Sequence, residues 1–393
     1  MTRSIVVAAL SARMLSQSAR QAGLRPIALD LFGDRDTCRA GHWLQAGKPG
    51  TFAIDPDRLS DTLARLARRR DMLGWVAGTG FELHPNWLDR GARHLRLWGN
   101  DAATVAYVKD PQHFFGLLDA LGIAHPEVAF GPAGRQGWLR KQIGGCGGWH
   151  VRRCVNGMPA ESRATHYFQR ERPGTPMSLL FLADGEHIAP LGFNQLMCES
   201  LPDYPFAFAG VIGPVPLAAG PARDILHAAT ELARHLGLRG LNGIDFLLHR
   251  GQVDVLEINP RPPATVALYD TRVAGGLMRA HLAACDGKLA HVPMSGGPPS
   301  GMRIVYADRH RTITAQASAR MQAADWCHDL PRLDAQIGAG EPWCSVSATA
   351  ADARQVAAIL NQRIQTLYEF FEDSHDAGHP APFHHADTRH QCA

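Results

Sequence analysis

The sequence predicts an α/β protein, and three stretches carry that prediction. The chain begins with an apolar strand, SIVVAAL, a helix, SARMLSQSARQAG, and a second strand, RPIALD, which ends at Asp30. A βαβ start of this kind builds a parallel sheet. Further along, WLRKQIGGCGGWHVRR reads as two strands around a glycine-rich tip. Later still, LNGIDFLLHRGQVDVLEINPRPPA reads as two apolar strands joined by a short turn at Arg250-Gly251.

The chain has 393 residues, enough for two to four domains. Its formal charge is only +3, which points away from nucleic acid or an anionic membrane as the main partner. Only four of the 40 basic residues are lysine: Lys48, Lys109, Lys141 and Lys288. The eight cysteines are scattered without a CxxC pair, which argues against a zinc ribbon or a disulfide framework and fits a reducing cytoplasm. The N-terminal apolar run superficially resembles a signal peptide, but it is short and flows into a helix and a second strand, so it reads as the first strand. No apolar run reaches the ~18 residues of a membrane span.

The remaining elements follow in order. After RPIALD comes a helix over 55–70, rich in Arg and Leu, and a strand in MLGWVAGTGFEL that runs into a glycine-containing loop. The turn after the first strand lacks GxGxxG, which disfavours a dinucleotide site. A helix over 110–121 follows, with Lys109 just before it. In the glycine-rich hairpin, Gly144, Gly145, Gly147 and Gly148 let the backbone approach a ligand and present N–H groups to an anion, with Lys141 on the entering strand. FQRERPG reads as an irregular link, Met177–Leu182 and His187–Asn194 as strands, and FAFAGVIGP as a glycine-broken loop. A helix over 221–236 precedes the strand pair, and another covers TRVAGGLMRAHLAACDG. An extended region runs from GMRIVYADRHRTI through DAQIGAGEPWCSVSA, and an amphipathic helix closes the ordered chain. Residues 374–393, rich in His, Asp and Pro, read as a disordered tail, although His375, His379, His384, His385, His390 and Cys392 are metal-binding residue types.

The strand pair carries the chemistry. Strict alternation places Val253, Val255, Glu257 and Asn259 on one face, and Pro260, which has no N–H, ends the ladder. Asp245 on the first strand comes opposite Glu257 if the turn holds three residues, a register the sequence leaves open. Two carboxylates and an amide oxygen at one strand end are hard-oxygen ligands suited to Mg²⁺ (or Mn²⁺). Such acids are costly inside apolar strands unless a cation or hydrogen bonds compensate.

Taken together, these pieces resemble the ATP-grasp superfamily of carboxylate ligases. They are a βαβ domain, a lysine beside a helix, a lysine followed by a glycine-rich hairpin, and a closing D…E-x-N-P-R. The resemblance runs from about residue 1 to 285 and is tightest over GIDFLLHRGQVDVLEINPRPPA. It implies an ATP-grasp fold with an α+β lid, a Rossmann-like domain before it and a C-terminal extension. The implied boundaries are 1–100 for the first domain, 101–170 for a linker helix and the lid, 171–290 for the large lobe and 291–373 for the extension.

The resemblance also implies roles. Lys109 and Lys141 would contact the α- and β-phosphates of ATP, and Gly144, Gly145, Gly147 and Gly148 would fold over the phosphates. Gln169 and the backbone of Arg170, Glu171 and Arg172 would hold the adenine. Asp245, Glu257 and Asn259 would bind Mg²⁺, and Arg261 would stabilise the transferred phosphoryl group, with Lys141 beside it. The implied activity is ATP-dependent joining of a small-molecule carboxylate to an amine through an acyl-phosphate. Small-molecule amino-acid ligases, tyramine–glutamate ligases among them, are the nearest group in kind. The alternatives are a bicarbonate-using relative of biotin carboxylase and a nonenzymatic ATP-binding protein. Arg272 and Arg303 are candidates for carboxylate recognition, beside plain structural roles. A homodimer is common in such enzymes, but no apolar stripe here marks an interface. Two features depart from the family pattern: Arg170 stands where an acidic or neutral residue is common, and the sector beyond 290 matches no general motif.

Overall fold

Short runs buried on both faces build the first sheet. The computed structural model describes residues 2–48, 51–131, 136–155, 165–289 and 294–372. Strands β1 (Ser4–Ala8), β2 (Arg25–Asp30), β3 (His42–Gln45) and β4 (Met72–Ala77) pair in parallel in the order β3-β2-β1-β4. Ile5, Val6 and Val7 are all fully buried, as expected of a parallel strand covered on both faces. The helix Pro56–Leu66 starts with Asp55 accepting from the N–H groups of Asp57 and Arg58, and buries Leu59, Leu63 and Leu66 against this sheet.

The next segment differs from the sequence reading. A helix over Ala102–Lys109 precedes the expected one, so Lys109 is its last residue rather than part of a lead-in. Pro111 explains the break: it pushes Asp110 into an extended conformation, and the Asp110 side chain caps the helix Pro111–Ala120 through the N–H groups of Gln112 and His113. The small antiparallel sheet that follows has β5 (Val128–Ala129), β6 (Trp138–Gln142), β7 (Val151–Arg153) and β8 (His166–Arg170) in the order β5-β8-β6-β7. Phe168, Gln169 and Arg170, read from sequence as part of an irregular link, belong to β8 because they pair with β5 and β6.

The large sheet runs β13-β12-β9-β10-β11-β14-β18-β16, with every pairing antiparallel. Its strands are β9 (Thr175–Asp184), β10 (Ile188–Leu201), β11 (Tyr204–Gly213), β12 (Arg239–His249), β13 (Gln252–Asn259), β14 (Ser300–Tyr306), β16 (Cys327–His328) and β18 (Pro342–Thr349). A two-stranded side sheet joins β15 (Arg311–Thr312) to β17 (Gln336–Ile337). FAFAGVIG is therefore strand, not loop. Its glycine marks a bulge: Gly210 has φ +155°, the register with β10 shifts beside it, and a Cβ there would run into the Met302 carbonyl of β14.

Helix Ala219–Leu236 covers one face of the large sheet. Ile225, Ala228, Ala229, Leu232 and Ala233 recur at helical spacing, are buried, and join Phe181, Ile244 and Ile258 in one core. Burying a leucine such as Leu232 stabilises the fold by about 1.5–3 kcal/mol. The extended region expected after residue 300 is interrupted by a helix, Ala315–Ala323, which Thr314 caps by accepting from Ala317 N–H. β14, β18 and β16 extend the large sheet, and helix Ala353–Glu372 lays Val356, Leu360, Leu367 and Phe371 over them. No helix among the described residues is long and apolar enough to cross a membrane. The histidine-rich tail lies outside the described residues.

Candidate active site

The site is built on the β12–β13 hairpin. Arg250 (φ +49°) and Gly251 (φ +80°) form its two-residue turn, and His249 pairs with Gln252. That register alone would set Asp245 opposite Leu256. Leu256 is bulged out, the register shifts by one, and Asp245 stands opposite Glu257. The expected pairing thus arises from a bulge, not from a three-residue turn. The bulge also corrects the face assignment. Val253 and Val255 pack with Ile258 in the core, while Glu257 and Asn259 turn the other way.

Glu257 Oε2 accepts from Lys109 Nζ at 3.1 Å. Asn259 bridges two neighbours: its amide donates to Asp245 Oδ2 at 3.1 Å and its oxygen accepts from Arg261 Nη2 at 3.2 Å. Burial, reinforced by Glu257, pushes the Asp245 carboxyl up to about 7. Burial opposes ionisation of Glu257 too, but Lys109, His150 and Lys141 outweigh it and hold that carboxyl down to about 2. Lys141 is 9 % exposed, and its ammonium makes no hydrogen bond or ion pair among the described residues. Burial and the nearby Lys109 push its ammonium down, against the pull of Glu257 and Asp245.

Sequence reasoning missed Glu82. It follows β4 in the glycine-containing GTGFELH loop, is 4 % exposed, and its Oε1 is ion-paired with Arg261 Nε. Its Oε2 accepts from the N–H groups of Gly80 (2.7 Å) and Phe81 (2.9 Å). The loop after β4 thereby supplies a buried anion to Arg261. The only signal in sequence was an acid directly after a glycine loop at a strand end.

The glycine loop lies down on the body of the protein. Gly144 (φ +73°) packs so closely that a Cβ would meet Leu83 Cα at 2.9 Å, and a Cβ on Gly148 (φ +73°) would run into the Phe206 carbonyl of β11. Gly147 O accepts from Phe208 N–H at 2.8 Å. Trp149 rests against Tyr204 and Tyr306, with ring centroids 4.6 and 5.6 Å away. Gly144 and Gly145 line a cavity together with Lys109, Gln142, His150, Tyr167 and Glu257.

Gln169 is 1 % exposed, and its Nε2 is buried without a hydrogen-bond partner. An orphaned buried amide marks a place where a ligand acceptor fits. The N–H groups of Arg170 and Glu171 are already used by Glu127 O and Gly137 O, and the side chains of Glu171 and Arg172 pair with Arg153 and Asp254. The side chains of Arg272 and Arg303 are largely engaged, although Arg303 Nε is buried without a partner. Arg272 donates to the carbonyls of Leu268, Gly297 and Pro298, while Arg303 pairs with Glu199 and donates to Asn361. Both serve to tie segments together.

No group of three or more His, Cys, Asp or Glu is placed to hold a metal among the described residues. Two facing carboxylates nonetheless suit Mg²⁺, which takes one or two protein carboxylates and completes its shell with phosphates and water. The mutual repulsion of Asp245 and Glu257 is what such a cation would relieve.

Residues 114–265 match the ATP-grasp domain family. The chain's mixed α/β architecture is the ATP-grasp fold. Among curated proteins, the arginine-specific carbamoyl phosphate synthase large chain of Bacillus subtilis is 26% identical over 194 residues. That match covers 44% of this chain and 18% of the relative's length. Among solved structures, the biotin carboxylase domain of Hydrogenobacter thermophilus 2-oxoglutarate carboxylase, in complex with MgADP, ADP and bicarbonate, has a TM-score of 0.69 at 12% identity, covering 94% of this chain and 90% of that one. An L-amino acid ligase from Bacillus licheniformis has a TM-score of 0.67 at 13% identity, covering 93% and 97%.

Proposed function

We propose that this chain is an ATP-dependent ligase that joins a small-molecule carboxylate to an amine. One observation carries the reading: Lys109, Lys141, Asp245, Glu257, Asn259 and Arg261 form one cluster of interacting groups beside a glycine loop, and all but Lys109 fall within the segment that matches the ATP-grasp domain family. The substrate carboxylate attacks the γ-phosphorus of ATP and ADP leaves. The amine then attacks the acyl carbon, phosphate leaves, and the amine gives up a proton. Mg²⁺ supplies charge neutralisation along the phosphates.

The chain's own residues do the rest. Lys109 and Lys141 hold phosphate oxygens, and Asp245, Glu257 and Asn259 hold the metal. Arg261 sits at the phosphoryl end, and Gln169 turns its free amide to the base. The glycine loop keeps water from the acyl-phosphate. The likeness to the L-amino acid ligase favours amino-acid-like substrates.

The test is ADP release across a panel of carboxylates and amines. Glu257→Gln should cut acceptor-dependent release at least about 100-fold with the fold intact. Near wild-type release from that variant would remove Glu257 from the reaction. Release that needs bicarbonate and no amine would instead make the chain a carboxylase, the chemistry suggested by the bicarbonate-bound structural relative.

A further inference from the structure

We propose that His150, carried on the glycine loop, is a phosphate-binding residue that reads the terminal phosphoryl group of the bound nucleotide. The inference deepens the ligase reading and rests on it. His150 lines the same cavity as Lys109, Gln142, Gly144, Gly145 and Glu257. Its ring is turned inward by the loop itself. A Cβ on Gly145 would run into the imidazole, so a residue without a side chain is needed there for His150 to fold back over the cavity.

The surroundings are those of a ligand contact rather than of core packing. The ring's one hydrogen bond among the described residues is a long one, from Nδ1 to the Cys146 carbonyl at 3.3 Å, so Nε2 is left for something else. The charged groups that act on it are Glu257, Lys141 and Lys109, all of which the ligase reading assigns to the triphosphate and its metal. Burial, together with Lys141 and Lys109, holds the ring down to about 4, against the pull of Glu257 and the Cys146 carbonyl. Phosphoryl oxygens in the cavity would give Lys109 an anionic acceptor and let a neutral His150 donate from Nε2, at the expense only of the long Nδ1 contact. Glu257 would hold a metal that neutralises phosphate charge, and His150 lines the same cavity as Glu257, which favours the phosphoryl end of the nucleotide for His150.

The experiment compares Mg-ATP with Mg-ADP by calorimetry, on wild type, His150→Ala, His150→Gln and Gly145→Ala. A hydrogen bond to a charged group predicts that His150→Ala weakens Mg-ATP binding about tenfold or more and Mg-ADP by no more than about twofold. His150→Gln keeps the bulk of the ring and should fall between. Gly145→Ala displaces the ring without removing it and should copy His150→Ala. Equal losses for both nucleotides, or none for either, would overturn the assignment. A wild type that binds neither nucleotide would overturn the ligase reading itself, and the assignment with it.

Discussion

Two clusters of buried charge sit in this molecule, and they differ in how completely they are satisfied. One clasps the helices beside the parallel sheet to the segment around Asp329. Arg13, 6 % exposed, donates to both oxygens of Asp329 at 2.6 and 3.0 Å. Asp36 lies 3.4 Å from the same guanidinium and accepts from the N–H groups of Asp329 and Leu330 at 2.8 and 3.0 Å. Ser345 donates to Asp329 as well. Asp329 is held at φ +54°, an uncommon conformation that these bonds fix in place.

The other cluster is the candidate active site, and it is left incomplete. The Lys141 ammonium has no partner among the described residues, Gln169 has an orphaned amide, and of the facing carboxyls Asp245 is held up by burial and Glu257 is held down by Lys109. The lesson is physical. A structural ion cluster closes upon itself, whereas a ligand site keeps part of its hydrogen-bonding and charge balance open for the ligand.

The largest effect should come from breaking the closed cluster. Arg13→Ala leaves two half-buried carboxylates without their cation and should cost about 1.5–3 kcal/mol in urea unfolding, with Mg-ATP affinity unchanged under native conditions. If nucleotide affinity fell as well, the clasp would not be separable from the site.

Next comes the open cluster. Lys141→Ala should weaken Mg-ATP binding about tenfold, in keeping with the loss of one charged hydrogen bond, while removing a buried amine with no partner should leave stability close to wild type. Unchanged nucleotide affinity by calorimetry would take Lys141 out of the site.

The smallest effect is a pH dependence. Burial opposes ionisation of Glu82, yet Arg261 and Lys109 outweigh it and set its carboxyl below the ordinary 4.5. Its contribution to stability is therefore fully present above about pH 4.5 and is lost as pH falls through the lower folded value. Stability of Glu82→Gln should fall less steeply with acid below that pH. Parallel acid-unfolding curves for the two proteins would contradict the ion pair.

What the sequence revealed follows the same physics. The βαβ start and the β12–β13 pair were legible because apolar runs and a turn glycine state their own geometry. The Asp245–Glu257 pairing was not, because a bulge at Leu256 leaves no mark in the pattern of residue types. β11 was misread for a related reason: Gly210 and Gly213 look like loop residues, yet Gly210 serves a bulge against β10 and a close approach to β14. The helix Ala102–Lys109 escaped because its Ala- and Val-rich sequence has little amphipathic pattern. Most of the site residues were visible as types in a row, but Glu82 was not, since only the tertiary fold brings it to Arg261. His150 was passed over in a stretch whose glycines drew the reading.

The central claim is that the open cluster binds Mg-ATP. Calorimetry on wild type and Glu257→Ala, each with and without Mg²⁺, tests it most directly. The account predicts metal-dependent binding of ATP by wild type and a clear weakening in Glu257→Ala. Absence of binding under every metal condition, or equal binding by the two proteins, would contradict it.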